Sequence, residues 1–321
     1  MRVKPAKADR KKPSRRKTLI TIAIAVVVLF IGTLIAIPFM VMPMFLGQRF
    51  EQEQYISSDY GIDSERITLE TDDSLSIAAW RTRAAHPKGT VILLSGIQNP
   101  SVTAFFGYAK MLADNGWDSL LIEMRARSES EGDEVGLGMT EWLDVKAGVD
   151  YLADDDGSKD LPIVAMGTSM GAGTVIIAAG ETLEIDAVIS ISAFSTWSNM
   201  FAEHMSMAGI PKVIGVLDKP FVNMYLGFQF GFDALKYSPL NGIEKLGERP
   251  ILMMHSTEDS QVPYSEFEKL LDKANKTQID VTTFIREGDE HFVCYEEHIA
   301  APERDLEFSK SILGFLDTYF P

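Results

Sequence analysis

Hydrophobic positions fall into three regimes along the chain. Between Thr18 and Leu46 there is no charged residue, and Leu19 to Ile37 is almost wholly aliphatic. About 20 apolar residues suffice for a helix to cross the hydrocarbon core of a bilayer. A secretory leader has a shorter apolar core, roughly 7 to 15 residues, that ends at a small-x-small site. Here Pro38, Met42 and Pro43 follow the run. Residues 18–46 are therefore expected to be an uncleaved signal anchor rather than a removed leader. Residues 47–65 are polar and mixed, as a stalk would be.

From residue 66 onward, strand-like and helical patterns alternate. Ile67 to Glu70 and Ile77 to Arg81 read as short strands around an Asp72-Asp73 turn. Thr90 to Leu94, Ser119 to Glu123, Pro162 to Met166, Ala187 to Ser192, Ile251 to His255 and Val281 to Ile285 complete the strand series. Continuous apolar runs among them suit a sheet buried on both faces. Phe105 to Asn115, Met139 to Ala153 and Pro302 to about Tyr319 carry helical spacing. Such alternation predicts an α/β fold with a mostly parallel central sheet and helices on both faces, over 66–321. Between about 194 and 248 the alternation breaks, and Phe201, Met205, Val213, Val216, Phe221 and Phe228 crowd the segment. That is too apolar for a solvated loop. A small helical cap over the carboxyl ends of the strands is expected, with Phe201, Met205 and Phe228 lining an apolar substrate pocket.

Charge sharpens the picture of the amino terminus. Residues 1–17 hold nine Lys/Arg against one acid, Asp9, while the rest of the chain holds 21 basic and 45 acidic residues. A basic cluster directly before an apolar span stays cytoplasmic, which predicts a single-pass membrane protein with its folded domain outside the cytoplasm. The acidic body repels nucleic acid and anionic lipid headgroups, so neither is an expected ligand of the folded domain. One cysteine, Cys294, excludes an internal disulfide framework and reads as a packed or surface thiol. The histidines are too scattered for a metal site, and no glycine-rich nucleotide loop is present, so no cofactor is expected.

Gly167-Thr168-Ser169-Met170-Gly171 fits Gly-x-Ser-x-Gly, between the apolar run Ile163 to Met166 and a helical stretch from Ala172 to Ala179. A strand-to-helix turn of this kind exposes its serine at a helix N-terminus, and the glycines remove side chains that would clash. A serine hydroxyl needs a base, and the base a carboxylate to set its tautomer. In the chain order Ser, acid, His, the base is expected at His291, with His298 the alternative. The acid is expected at Asp259, next to Glu258. The backbone N–H groups of Ile97 and Met170 are the expected oxyanion hole.

With the elbow at Ser169, the Asp259-x-x-Val262-Pro263 turn, the His291-Phe292 pair and the segment Glu123-Met124-Arg125-Ala126-Arg127-Ser128-Glu129-Ser130, the chain from about Arg66 to Pro321 resembles the α/β-hydrolase superfamily. The likeness is to its bacterial branch with serine-aminopeptidase-like and esterase-like members. It departs at Ser95, where histidine is usual, and at Ala126, Ser128 and Ser256, where glycine is common. The resemblance implies hydrolysis of a small-molecule or lipid-like carboxylic ester through an acyl-enzyme. Peptidase, thioesterase or acyltransferase chemistry on the same residues, and a catalytically silent surface module, are the alternatives.

Overall fold

The computed structural model describes residues 15–46, 49–97 and 100–321. Residues 1–14 of the expected basic tail, the first two residues of the expected stalk, and Gln98 and Asn99 lie outside them. The chain opens with α1 (Arg15–Val41) and the single turn α2 (Pro43–Leu46). With 27 residues, α1 is long and apolar enough to cross a membrane. Most of its side chains are exposed, and Leu34 and Pro38 near its end are buried.

Eight strands form one sheet: β1 (Glu65–Glu70), β2 (Ser76–Thr82), β3 (Gly89–Leu94), β4 (Trp117–Ile122), β5 (Ile163–Thr168), β6 (Ala187–Ile191), β7 (Ile251–Ser256) and β8 (Val281–Arg286). Their order is β1-β2-β4-β3-β5-β6-β7-β8. β2 runs antiparallel to both its neighbours, and the other pairs are parallel. β3, β4, β5, β6 and β7 are buried at every position, as their unbroken apolar runs require. After β3 the chain steps to β4 on one side, then returns to β5 on the other. Loops leaving β3 and β5 therefore diverge and open a crevice between them, the place where open α/β sheets bind ligands.

The remaining helices are α3 (Phe106–Asp114), α4 (Trp142–Asp154), α5 (Met170–Glu181), α6 (Trp197–Met207), α7 (Lys212–Phe230), α8 (Pro239–Glu244), α9 (Tyr264–Thr277) and α10 (Leu306–Tyr319). Successive strand side chains alternate between two cores. Val91 and Leu93 join Tyr108 of α3 and Phe308 of α10 on one face. Ile92 and Leu94 join Val149 of α4, Val175 of α5 and Leu270 of α9 on the other. α9 lies outside the expected helices, although Phe267, Leu270, Leu271 and Ala274 give it an apolar face at helical spacing. The cap is narrower than expected. It is the α6–α7 hairpin, closely packed because a Cβ on Gly215 would meet the Ala202 carbonyl at 2.9 Å. Farther along, α8 returns to the sheet, with Gly242 backed onto α5.

The segment expected as a stalk is not a free spacer. Phe50 exchanges backbone hydrogen bonds with the 126–128 loop, at 3.0 Å to Ala126 O and 2.8 Å from Ser128 N. Gln52 N donates to Ser128 Oγ at 3.0 Å, and Tyr55 N to Thr103 Oγ1 at 3.0 Å. Met42 and Leu46 are 1% exposed and sink into the core. Ser128 can present both its hydroxyl and its N–H here because its backbone sits at φ 39°. Together these contacts tie the end of α1 rigidly to the domain.

One carboxylate of the cap is anomalous. Asp218 of α7 is fully buried, and neither oxygen has a hydrogen-bond partner among the described residues. Desolvation disfavours its charged form and raises its pKa to about 6. The folded protein thus holds this proton to higher pH than the unfolded chain does. Stability from this residue is lost as pH rises from the ordinary carboxyl value, 3.8, through about 6, and stays lower above. Asp218→Asn is expected to raise the melting temperature at pH 8 by roughly 2–4 °C or more, the shift that about 1 kcal/mol produces in a domain of this size. At pH 4 the change should nearly vanish, as thermal melts at the two pH values would reveal.

Candidate active site

Ser169 occupies the turn from β5 into α5 at φ 55°, ψ −119°, a conformation that a non-glycine residue adopts only under constraint. The constraint is close packing on both sides. A Cβ on Gly167 would lie 2.3 Å from the Gly171 carbonyl, and one on Gly171 would lie 2.4 Å from the Ser95 carbonyl. With no side chain at either position, α5 starts directly against the end of β3. Ser169 N donates to Ile191 O on β6 at 2.8 Å, which locks the turn onto the sheet. The half-buried hydroxyl has no hydrogen-bond partner among the described residues.

Asp259 and His291 come from the loops after β7 and β8. His291 Nδ1 lies 2.8 Å from Asp259 Oδ2 and 3.0 Å from Oδ1. Asp259 Oδ1 also accepts from Gln261 N and Val262 N, each at 2.9 Å. Burial works to raise the Asp259 carboxyl, but the hydrogen bond and charge of His291 and the Val262 amide outweigh it, and the pKa falls below the ordinary value. Glu258 points into solvent and His298 is half-buried on a short 3-10 turn, so neither alternative is paired in this way.

Two further residues, His255 and Ser256, steady this pair. Desolvation lowers the pKa of buried His255, and its Nε2 lies 2.8 Å from Val262 O, which fixes the turn carrying Asp259. Ser256, a departure from the usual glycine, donates to Glu290 O at 2.7 Å and ties down the residue before His291. Burial also pushes the Cys294 thiol up to about 12, so this packed cysteine is not a nucleophile at neutral pH.

The loop after β3 has its own support. Arg127 is fully buried, and its Nη1 donates to the Gly96 carbonyl at 2.5 Å and to Ser95 Oγ at 3.3 Å. Glu123, also buried, supplies the opposite charge near it. The position where histidine is usual is thus occupied by a serine that a guanidinium holds in place.

Ile97, Ser169 and Met170 share one wall of a cavity of about 530 Å3. Phe194, Trp197, Met200, Phe201 and Met205 form the side under the cap, and Ile37, Val41 and Met42 at the end of α1 close another side. Phe201 and Met205 lie where the chain pattern placed them. Phe228 does not: it is 66% exposed on the outer face of α7, with its ring tilted against Phe39 and edge-on to Phe232. Its position, one residue past the buried Tyr225–Gly227 turn, rotates it away from the cavity. The structure therefore pairs Asp259 with His291 and gathers Ser169, Ile97 and Met170, but does not bring Ser169 into hydrogen-bond contact with His291.

An eight-stranded sheet in this order, with a serine at the sharp β5–α5 turn and an acid–histidine pair after β7 and β8, defines an α/β-hydrolase. Residues 136–321 match the model of the prolyl oligopeptidase family, peptidase S9. The chain belongs to that family and is by class a serine hydrolase. Among curated relatives, the uncharacterized protein YqkD of Bacillus subtilis is 26% identical over 230 residues, 71% of each chain. The uncharacterized protein YfhR of Salmonella typhimurium is 23% identical over 265 residues, 78% of this chain and 83% of that one. Among solved structures, an esterase of Pyrococcus furiosus superposes with a TM-score of 0.67 at 20% identity, covering 85% of this chain and 99% of its own. The acylaminoacyl peptidase of Pyrococcus horikoshii gives 0.60 at 15% identity, covering 80% of this chain and 41% of its own.

Arg127→Lys tests the support of the β3 loop. A lysine keeps the charge but lacks the planar fork that reaches two acceptors. The expected result is a fall in kcat of about 10²-fold, comparable to a misplaced oxyanion donor, with KM changed far less and the thermal melt nearly unmoved. A melt that collapses together with activity would instead make Arg127 a residue of stability alone.

Proposed function

We propose that the protein is a membrane-anchored carboxylesterase working through Ser169, His291 and Asp259. Ser169 attacks the ester carbonyl while His291 takes its proton. The same histidine returns the proton to the leaving alcohol, then activates water to release the acid. Asp259 holds the imidazole through Nδ1, so that Nε2 is the nitrogen free to act as base. The N–H groups of Ile97 and Met170 stabilise the oxyanion, aided by the N-terminus of α5. Hydrogen bonds of this kind are often loose without substrate and tighten in the Michaelis complex.

The observation that carries the ester reading is the wall of the cavity around Ser169. Apart from Ser169, His204, Ser260 and Gln261, the side chains lining it are apolar. A peptide bound there would bury backbone N–H and C=O groups without partners, at a cost of roughly 1–3 kcal/mol each. An acyl chain would not. Membership of the prolyl oligopeptidase family favours a second reading, removal of an N-acyl residue from a short peptide by the same groups.

The anchor belongs to the same proposal: α1 crosses the membrane with the basic tail in the cytoplasm and the catalytic domain outside. Retention rather than cleavage is supported by Ile37, Val41 and Met42, whose removal would open the cavity.

The full-length protein should react with a fluorophosphonate probe and hydrolyse p-nitrophenyl esters, with Ser169→Ala abolishing both. Medium or long acyl chains should be preferred to acetyl. Turnover of N-acyl-peptide p-nitroanilides but of no ester would replace the esterase by the peptidase reading, and an unlabelled serine would sink both.

A further inference from the structure

Cap helix α7 carries apolar side chains on its outside as well as toward the domain. Val213, Val216, Leu217, Pro220 and Phe228 are exposed, and Phe221 and Met224 are half-exposed between them. Their spacing places them along one stripe of the helix. Large apolar side chains stand open there, Val213 at 60%, Val216 at 53% and Phe228 at 66%. A contiguous stripe of this kind marks an interaction surface.

Three observations identify what covers it. The stripe is continuous with the exposed apolar surface of α1, since Phe39 of α1 packs its ring 5.1 Å from Tyr225 and 6.4 Å from Phe228. The end of α1 is held to the domain through Met42, Leu46 and the Phe50 backbone pairing, while its Phe39 packs on the cap itself. The charge also fits. In a strongly acidic body, the stretch from Met205 to Phe232 holds a single acid, the buried Asp218, against Lys212 and Lys219.

We propose that α7 lies in the interface of the bilayer that α1 crosses, its outer stripe in contact with lipid, so that the Ser169 cavity receives its substrate from the membrane. The substrate class is an acyl-chain amphiphile, whose tail passes from the lipid phase between α1 and the cap while its ester stays near the polar surface. Ile37 and Val41 lie at once on the apolar helix and in the cavity wall, which puts the entrance at the membrane boundary. An amphipathic helix held this way buries its apolar face in the headgroup and acyl boundary. The inference rests on the anchor and esterase readings above.

The test uses the full chain in phosphatidylcholine vesicles, with a fluorophore placed in turn at Val216→Cys, Lys310→Cys and Val27→Cys. The Val216 label is expected to be quenched by nitroxide-bearing lipid and shielded from aqueous iodide, while the Lys310 label behaves oppositely. Iodide access at Val216 equal to that at Lys310 would overturn the proposal. Protection at Val216 from both quenchers would also overturn it, because a protein surface would then cover the stripe. Iodide access at Val27 would remove the anchor and the proposal together.

A second arm reads the substrate class. Val213→Asp with Val216→Asp, both outside the cavity, should leave hydrolysis of dissolved p-nitrophenyl acetate unchanged. Hydrolysis of p-nitrophenyl palmitate held in the vesicles should fall about tenfold or more. Equal rates on the vesicle substrate would overturn delivery from the membrane. Absence of turnover on either ester, with Val216 still in lipid, would strike the esterase reading and the substrate class with it, leaving the seating of α7 supported by the quenching alone.

Discussion

Close packing at the β5–α5 turn governs the rest of the molecule. α5 can start against the end of β3 only because Gly167 and Gly171 carry no Cβ. That approach forces Ser169 to φ 55°, which holds its hydroxyl out at the crevice instead of in the helix. It also brings the loop after β3 within reach of α5. The strain, of order 1–3 kcal/mol for such a residue, is held in place by β6 through Ile191 and by the fully buried strands on either side. Relaxing the turn would move the serine, the Met170 amide and the Ile97 loop together.

Around this turn, buried polar groups act as positioning elements. Arg127 secures the Ser95–Gly96 backbone, while Ser256 and His255 secure the His291 and Asp259 loops from behind. Arg127 and Ser256 tie their loops to neighbours distant in sequence, and His255 closes the turn that carries Asp259 from seven residues before Val262. Arg125, paired with Asp144 and Asp73, anchors the same segment as Arg127 to α4 and to the β1–β2 turn. A stretch with no catalytic side chain of its own therefore carries much of the site's rigidity.

At its amino-terminal side the domain buries Met42 and Leu46, just past the end of α1. Backbone pairing of Phe50 with residues 126–128 runs into the segment that holds Arg127. The helix end, the cap and the loop after β3 thus share one connected framework around the cavity. An apolar helix that also furnishes cavity wall differs physically from a tether, because its position sets the shape of the space beside Ser169.

All eight strands, the elbow at Ser169 and the apolar span were legible in the chain, because each is written in local order: continuous apolar runs, glycine spacing, or uninterrupted aliphatic length. Asp259 and His291 were legible by their order and their place after late strands. The amphipathic helix over Tyr264–Thr277 was equally local and was passed over. By contrast, Phe201 and Phe228 are alike in composition and neighbourhood, yet one lines the cavity and the other faces outward. Which side of a cap helix turns inward depends on how α6, α7 and α1 cross. The polar run after residue 47 likewise reads as a spacer until Ser128 and Thr103, far along the chain, are seen to bind its backbone. Sequence alone determined the fold class, the strand-to-helix setting of Ser169 and the presence of an apolar helix, since local pattern dictates secondary structure and strand burial. Tertiary structure alone decided that Arg127 binds the Ser95–Gly96 loop and that α1 walls the cavity, because both arise from contacts between segments whose separation in the chain carries no signal of their approach.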